Sequence, residues 1–223
     1  MTLKEAMKER HTVRRYTDRP IPEEILQLLQ TRILENNEKY HLAIQLRIDD
    51  TSAFSSMIKL ILAKGVKNFF ILAGPKTPDL DEKLGYCSAD LMLYAQTLGL
   101  NTWWVGGTFN KNKLNAEAGE NKVIGVVAAG YGAVQGKPHK SKKSEEVAVY
   151  EGKVPSWYSE GVEAALLAPT ALNKQAFSIR GKENKVSITC GSGVFAGADL
   201  GLVKYHFELG AGKENFQWEN NWI

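Results

Sequence analysis

Cysteine is scarce: the 223-residue sequence holds two, Cys87 and Cys190, without metal-ligand spacing. A disulfide between them stays open on sequence alone, and reduced thiols in a cytoplasm are the expected state. The four histidines, His11, His41, His139 and His206, are scattered, so a zinc site would need convergence across the whole chain and none is expected. No apolar run approaches the roughly 18 residues of a membrane span, and the first residues are too polar for a signal peptide. A cytoplasmic protein with no membrane partner is therefore expected. One-sided charge is missing too. With 28 Lys and Arg against 25 Asp and Glu, the net charge of +3 gives no global field for nucleic acid, so any basic function must be local.

What remains is a globular mixture, 43% hydrophobic and 24% charged, of a length that suits one sizeable domain or two small halves sharing a core. Thr2 and Glu5 have capping-box spacing and open a short helix to about Glu9. Arg10, His11, Thr12, Arg14 and Arg15 then follow within a few positions. Cations this close repel unless solvated or sharing an anion, and the planar fork of arginine suits phosphate. A solvated loop and an anion site are both open there. Pro22, with Glu23 and Glu24, reads as the start of a second helix that buries Ile25, Leu28, Leu29 and Ile33.

Alternation from Leu42 to Ile48 predicts a strand, Ala53 to Ala63 a helix, and the apolar run Phe69 to Ala73 a strand buried on both faces. A strong helix is expected from about Gly85 to Leu98, stopped by Gly99. Trp103 and Trp104 read as core packing, and Val105 leads into Gly106-Gly107, where a backbone can either turn or approach a flat ligand. Val123 to Ala129 is another buried strand. The basic run Lys137 to Lys143 reads by itself as a solvated linker.

From Pro155 the pattern restarts with a helix that Pro169 must end. The segment Ala168 to Phe177 carries Thr170, Asn173, Lys174 and Gln175, which suit a helix-to-strand turn or a polar ligand. Strands are predicted at Phe177 to Arg180 and Lys185 to Thr189, around a turn at 181–184. Gly191-Ser192-Gly193 looks like a dinucleotide fingerprint, but the third glycine, Gly197, comes one residue too late and no acid follows at ribose spacing. It reads as a turn. A weak repeat, Ala89-Asp90-Leu91 and Ala198-Asp199-Leu200 before Leu-Gly, suggests two related halves.

Four of these segments together resemble the FMN-dependent nitroreductase family: Arg10-His11-Thr12-x-Arg14, Gly99-Leu100 through Gly106-Gly107, Lys140 to Lys142, and Ala168-Pro169-Thr170-x-x-Asn173-x-Gln175. The resemblance implies an α+β fold with a mixed sheet flanked by helices, and FMN as cofactor. By it, Arg10, His11 and Thr12 would hold the phosphate and ribityl chain, with Lys140 and Lys142 reaching the phosphate. Arg14 would sit near N1 and O2 of the flavin. Trp104, Val105, Gly106 and Gly107 would line the N5–O4 edge, and Pro169, Thr170, Ala171 and Asn173 would cover the other side.

In this family the Ala-Pro-Ser-like segment normally follows the second helix, whereas here it stands in the second half of the chain. That order resembles a single-chain variant in which residues 1–150 and 151–223 imitate two subunits as pseudo-symmetric halves, a monomer being possible. The implied activity is hydride transfer from NAD(P)H to a flat acceptor such as a nitroaromatic or quinone by ping-pong, with no catalytic side chain demanded. A non-enzymatic flavin binder, for storage or sensing, is the alternative.

Overall fold

The computed structural model describes residues 1–219. Helix α1 (Leu3–Glu9) starts as its capping box requires: Glu5 N–H donates to Thr2 Oγ1 at 3.2 Å, and Thr2 N–H donates to Glu5 Oε2 at 2.7 Å. Helix α2 (Glu23–Tyr40) carries its two acids in the first turn, with Pro22 at the N-cap, and ends at His41 in the left-handed region. Strand β1 (Gln45–Arg47) is shorter than the alternation predicts, because the Asn37 side chain bonds both backbone groups of Ile44, at 2.8 and 2.9 Å, in place of a ladder. Helix α3 (Ser56–Ile61) is also shorter, since Ser55 is an extended N-cap whose hydroxyl accepts from Ile58 N–H.

Strand β2 (Phe69–Gly74) is buried at every position, as its apolar run predicts. Helix α4 (Leu80–Thr97) begins five residues before the expected Gly85, with Asp81 and Glu82 in its first turn. Next come β3 (Asn101–Val105), α5 (Lys111–Glu117) and β4 (Lys122–Gly130). These strands form an antiparallel sheet in the order β1-β2-β4-β3.

The later chain adds α6 (Ser144–Val147), β5 (Ala148–Glu151), α7 (Ser156–Ala165), β6 (Phe177–Lys182), β7 (Lys185–Cys190), α8 (Ala196–Ala211) and β8 (Gln217–Trp218). They build a second sheet, β5-β6-β7-β8, which mixes parallel outer pairs with an antiparallel centre. The α+β class therefore holds, with two four-stranded sheets. The β6–β7 turn is tighter than expected, because Lys182 and Lys185 pair and Glu183 takes a φ of 53°. Strands β5 and β8 were not legible in the pattern; residues 220–223 of the expected second half lie outside the described residues.

Helices α4 and α8 cross at the centre, backbone against backbone. A Cβ on Gly85 would lie 2.1 Å from the Ala198 carbonyl oxygen, and one on Gly201 would lie 1.9 Å from that of Glu82. Glycine is required at both positions because neither backbone can withdraw without unpacking the core. The crossing is tied by the nearly buried pair Lys204–Glu82 at 2.5 Å and by Tyr86 Oη donating to Glu208 Oε2 at 2.5 Å. Through it, one apolar core runs from Leu29 and Phe70 to Phe207 and Phe216. Both members of the weak repeat fall on these helices, but with different partners. Asp90 accepts from Arg32, Asn36 and Tyr205, whereas Asp199 accepts from the backbone of Ala171.

Candidate functional site

A cavity of about 910 Å³ lies where five loops meet, within the size range of small-molecule sites, ~300–1,000 Å³. The segment between α1 and α2 forms one wall. Val13 N–H donates to the Thr102 carbonyl and Thr12 bridges Thr102, so the Arg-rich stretch lies along β3. Arg10, His11, Thr12 and Arg14 all line the cavity. Arg10 closes α1 and is only 5% exposed, and its guanidinium makes no ion pair among the described residues. Burial pushes its pKa down to about 10. A buried cation without an acid is an uncompensated charge, and it faces open space that an anion could fill.

Beside Arg10 on the α8 side stands His206, which is fully buried. Burial, reinforced by the neighbouring Arg10 guanidinium, pushes its pKa down to about 3, so it is neutral. Its Nδ1 bonds the Leu202 carbonyl at 2.8 Å.

The end of β3 and the following loop, Trp103 to Thr108, form the second wall. The tryptophans do more than fill the core expected of them. Trp103 stacks on Phe54 and carries the Arg14 guanidinium 5.4 Å above its ring, and both tryptophans face the cavity. The two glycines differ. A Cβ on Gly106 would meet Phe195 Cε1 at 2.3 Å and Trp104 Cζ3 at 2.6 Å, so this glycine makes room for a ring of the protein itself. A Cβ on Gly107 would meet nothing within 4 Å and would project into open space.

The third wall is the loop 168–176. Leu172, Asn173 and Gln175 have φ of 53°, 53° and 46°, a cluster of left-handed residues that L side chains adopt only when tied down. The ties are visible. Gln175, 1% exposed, donates from Nε2 to the Leu166 carbonyl at 2.8 Å and accepts from Lys142 N–H at 2.7 Å. Its own N–H donates to Thr170 Oγ1, and Asn173 Nδ2 donates to the Lys140 carbonyl at 2.8 Å. Gln175 thus holds the loop together and does not line the cavity, while Pro169, Thr170, Ala171, Asn173 and Lys174 do.

Lys140 and Lys142, expected to reach a ligand, do not line the cavity either. The Lys142 ammonium donates to the Gln175 carbonyl at 2.9 Å. From the same basic run it is Lys137 and His139 that line it. His139 Nε2 lies 2.9 Å from the Leu166 carbonyl, so that nitrogen carries the proton.

The last wall comes from residues with no site expected of them in sequence. Gly191 to Phe195, read as a turn, and Asp199 in the first turn of α8 line the cavity. Their signal in sequence is the glycine-rich stretch between strand and helix, which departs from dinucleotide spacing. Asp199 is the one carboxylate among the described residues that line the cavity, and its Oδ1 accepts from Ala171 N–H at 2.8 Å. Burial outweighs that bond and raises its pKa to about 6. Arg10, Arg14, Lys137 and Lys174 thus face a single acid. The donor set suits an anionic ligand with a flat apolar part.

Among the described residues no helix is long and apolar enough to cross a membrane, and no cluster of His, Cys, Asp or Glu could hold a metal ion.

Comparison with known proteins gives a consistent result. Residues 2–211 match the family model described as "Putative TM nitroreductase". A nitroreductase structure from Thermotoga maritima superposes with a TM-score of 0.72 at 19% identity, covering 96% of this chain and 85% of that one. A nitroreductase from Desulfovibrio desulfuricans, in complex with FMN, gives a TM-score of 0.53 at 19% identity, covering 70% of this chain and 99% of that one. A nitroreductase family protein from Streptococcus pneumoniae gives 0.53 at 12% identity, over 66% of this chain and 98% of its own. No curated protein matches by sequence.

Proposed function

The chain belongs to the nitroreductase family whose model spans residues 2–211, and on that premise we propose that it is an FMN-dependent oxidoreductase using NAD(P)H. The observation that carries this reading is the buried Arg10 guanidinium, without an acid partner, on the wall of a cavity large enough for a small cofactor. The residues present fit FMN. A phosphate would compensate Arg10, with His11, Thr12 and Lys137 as further donors, and the apolar walls would take the ring.

When bound, FMN would supply the hydride chemistry, receiving from NAD(P)H and delivering to a flat organic acceptor such as a nitroaromatic or quinone, in a ping-pong cycle. Arg14 is assigned to the flavin ring edge, where a fixed cation stabilises negative charge. Gly106 and Gly107 would offer backbone N–H groups from a loop whose second glycine leaves open space. Pro169, Thr170, Ala171 and Asn173 would cover the opposite side, held there by Gln175 and by the carboxylate of Asp199. We assign no side chain a catalytic proton transfer.

The reading extends to architecture. Arg10, His11, Thr12 and Arg14 in the first half of the chain and Pro169 to Asn173 in the second line one cavity. This supports a single-chain pseudo-dimer with residues 1–150 and 151–223 as its halves and one FMN per chain.

The absorption spectrum of purified protein tests the cofactor, with flavin bands expected at ~450 nm. Their absence from protein incubated with FMN and then freed of unbound flavin by desalting would overturn the reading. One observation favours a second possibility, storage or sensing. Phe195 sits on Gly106, edge-on to Trp104 at 5.8 Å, and would shield that edge of the ligand. Bound flavin that stays oxidised with both NADH and NADPH would select it.

A further inference from the structure

Helix α3 is amphipathic in the wrong direction. Met57, Leu60 and Ile61, at helical spacing on one face, are 70%, 81% and 64% exposed. Leu60 and Ile61 wall a second depression, of about 390 Å³, together with Val134, itself 61% exposed. Its charged lining residues are Arg15 and Lys64, both exposed, and neither forms an ion pair among the described residues. Among the described residues no carboxylate lines it. The salt bridges of this region lie elsewhere, as in Lys67–Asp18.

Scattered exposed apolar residues need no explanation, but three that border one groove beside two unpaired cations, with Met57 exposed on the same helix, do. The chemistry that covers such a surface combines hydrocarbon with negative charge. We propose that this face docks on the surface of an anionic lipid bilayer, the apolar side chains entering the headgroup–acyl boundary and Arg15 and Lys64 meeting lipid phosphates. Among the described residues no helix is long and apolar enough to cross a membrane, and lying on the bilayer surface needs none. Charge complementarity selects the bilayer over a second copy, because a copy would set Arg15 and Lys64 against a face with no acid in its groove. Docking here also orients the main cavity, since Leu62, which ends α3, is one of its lining residues.

The test is co-sedimentation of the purified full-length chain with vesicles of phosphatidylcholine alone and of phosphatidylcholine with phosphatidylglycerol. Binding is expected to the anionic vesicles only and should weaken with added salt. Arg15→Gln and Lys64→Gln should each lower partitioning about fivefold. Leu60→Ser with Ile61→Ser should lower it by about tenfold or more. All four side chains are exposed, so the variants should keep the wild-type melting temperature. Three results would overturn the proposal: no binding to either vesicle, equal binding to both, or a dimer in light scattering that the Leu60→Ser and Ile61→Ser pair dissociates.

Discussion

Arg10→Met should move protein stability and ligand affinity in opposite directions. At 5% exposure the guanidinium is out of water, and burial drives its pKa down to about 10. At about 1.4 kcal/mol per decade of proton affinity, that displacement corresponds to about 3 kcal/mol held against the charged side chain in the ligand-free protein. The sign follows from the direction. A base whose folded value lies below its unfolded one carries the full penalty at any pH below about 10, and the penalty fades as pH rises past it. At pH 7 methionine removes all of it while keeping comparable bulk, so the flavin-free variant should gain up to about 3 kcal/mol. A chain of this size melts about 2–4 °C higher per kcal/mol, which sets a ceiling of about 6–12 °C. FMN affinity should fall about 10–100-fold, the worth of a charge-assisted bond to phosphate. Calorimetry on the flavin-free proteins and flavin titration on both measure the two halves. A variant that melts lower and still binds FMN as tightly would refute both the uncompensated charge and the phosphate assignment.

Arg14→Ala should lower the reduction potential of bound flavin while weakening FMN less than Arg10→Ala, and an unchanged potential would remove Arg14 from the ring edge. Gly107→Val should lose flavin occupancy at unchanged stability, since its Cβ meets nothing, whereas Gly106→Val must displace Phe195 and Trp104 and should cost about 1–3 kcal/mol in denaturant titration. Because the Asp199 pKa is raised to about 6, its folded form binds a proton that the unfolded form has released, so stability falls as pH rises from about 4 to 6. Asp199→Asn should therefore raise the melting temperature more at pH 8 than at pH 4; an equal shift would mean that the carboxylate is not strained by burial. Flavin absorbance against protein mass, with light scattering, should give one FMN per monomeric chain, and two per chain would end the fused-halves reading.

Local chemistry was enough for much of the framework. The capping box of Thr2 and Glu5, the buried run Phe69 to Ala73 and the stop at Gly99 depend on residues a few positions apart, and each of these features stands where its pattern put it, although α4 starts five residues early. Short elements strayed where a side chain competed for the backbone, as Asn37 does at Ile44 and Ser55 does ahead of α3. The resemblance also pointed to segments that the fold brings to one cavity, from Arg10 to Asn173, because those segments carry their chemistry in nearby residues.

What no local pattern could fix was which donors face the cavity. Four lysines stand within the run 137–143 and the linear pattern treats them alike, yet only Lys137 of them faces the cavity, and Gln175 holds Lys142 from 33 positions away. Asp199 and the glycines before it join the site only because α8 crosses α4 at two glycines, which brings the start of α8 up to Ala171. The sequence by itself determined which residues can bond an anion or line an apolar wall. The tertiary structure decided which of them do, because burial and long-range hydrogen bonds commit some donors to the protein and leave others, Arg10 above all, facing the cavity.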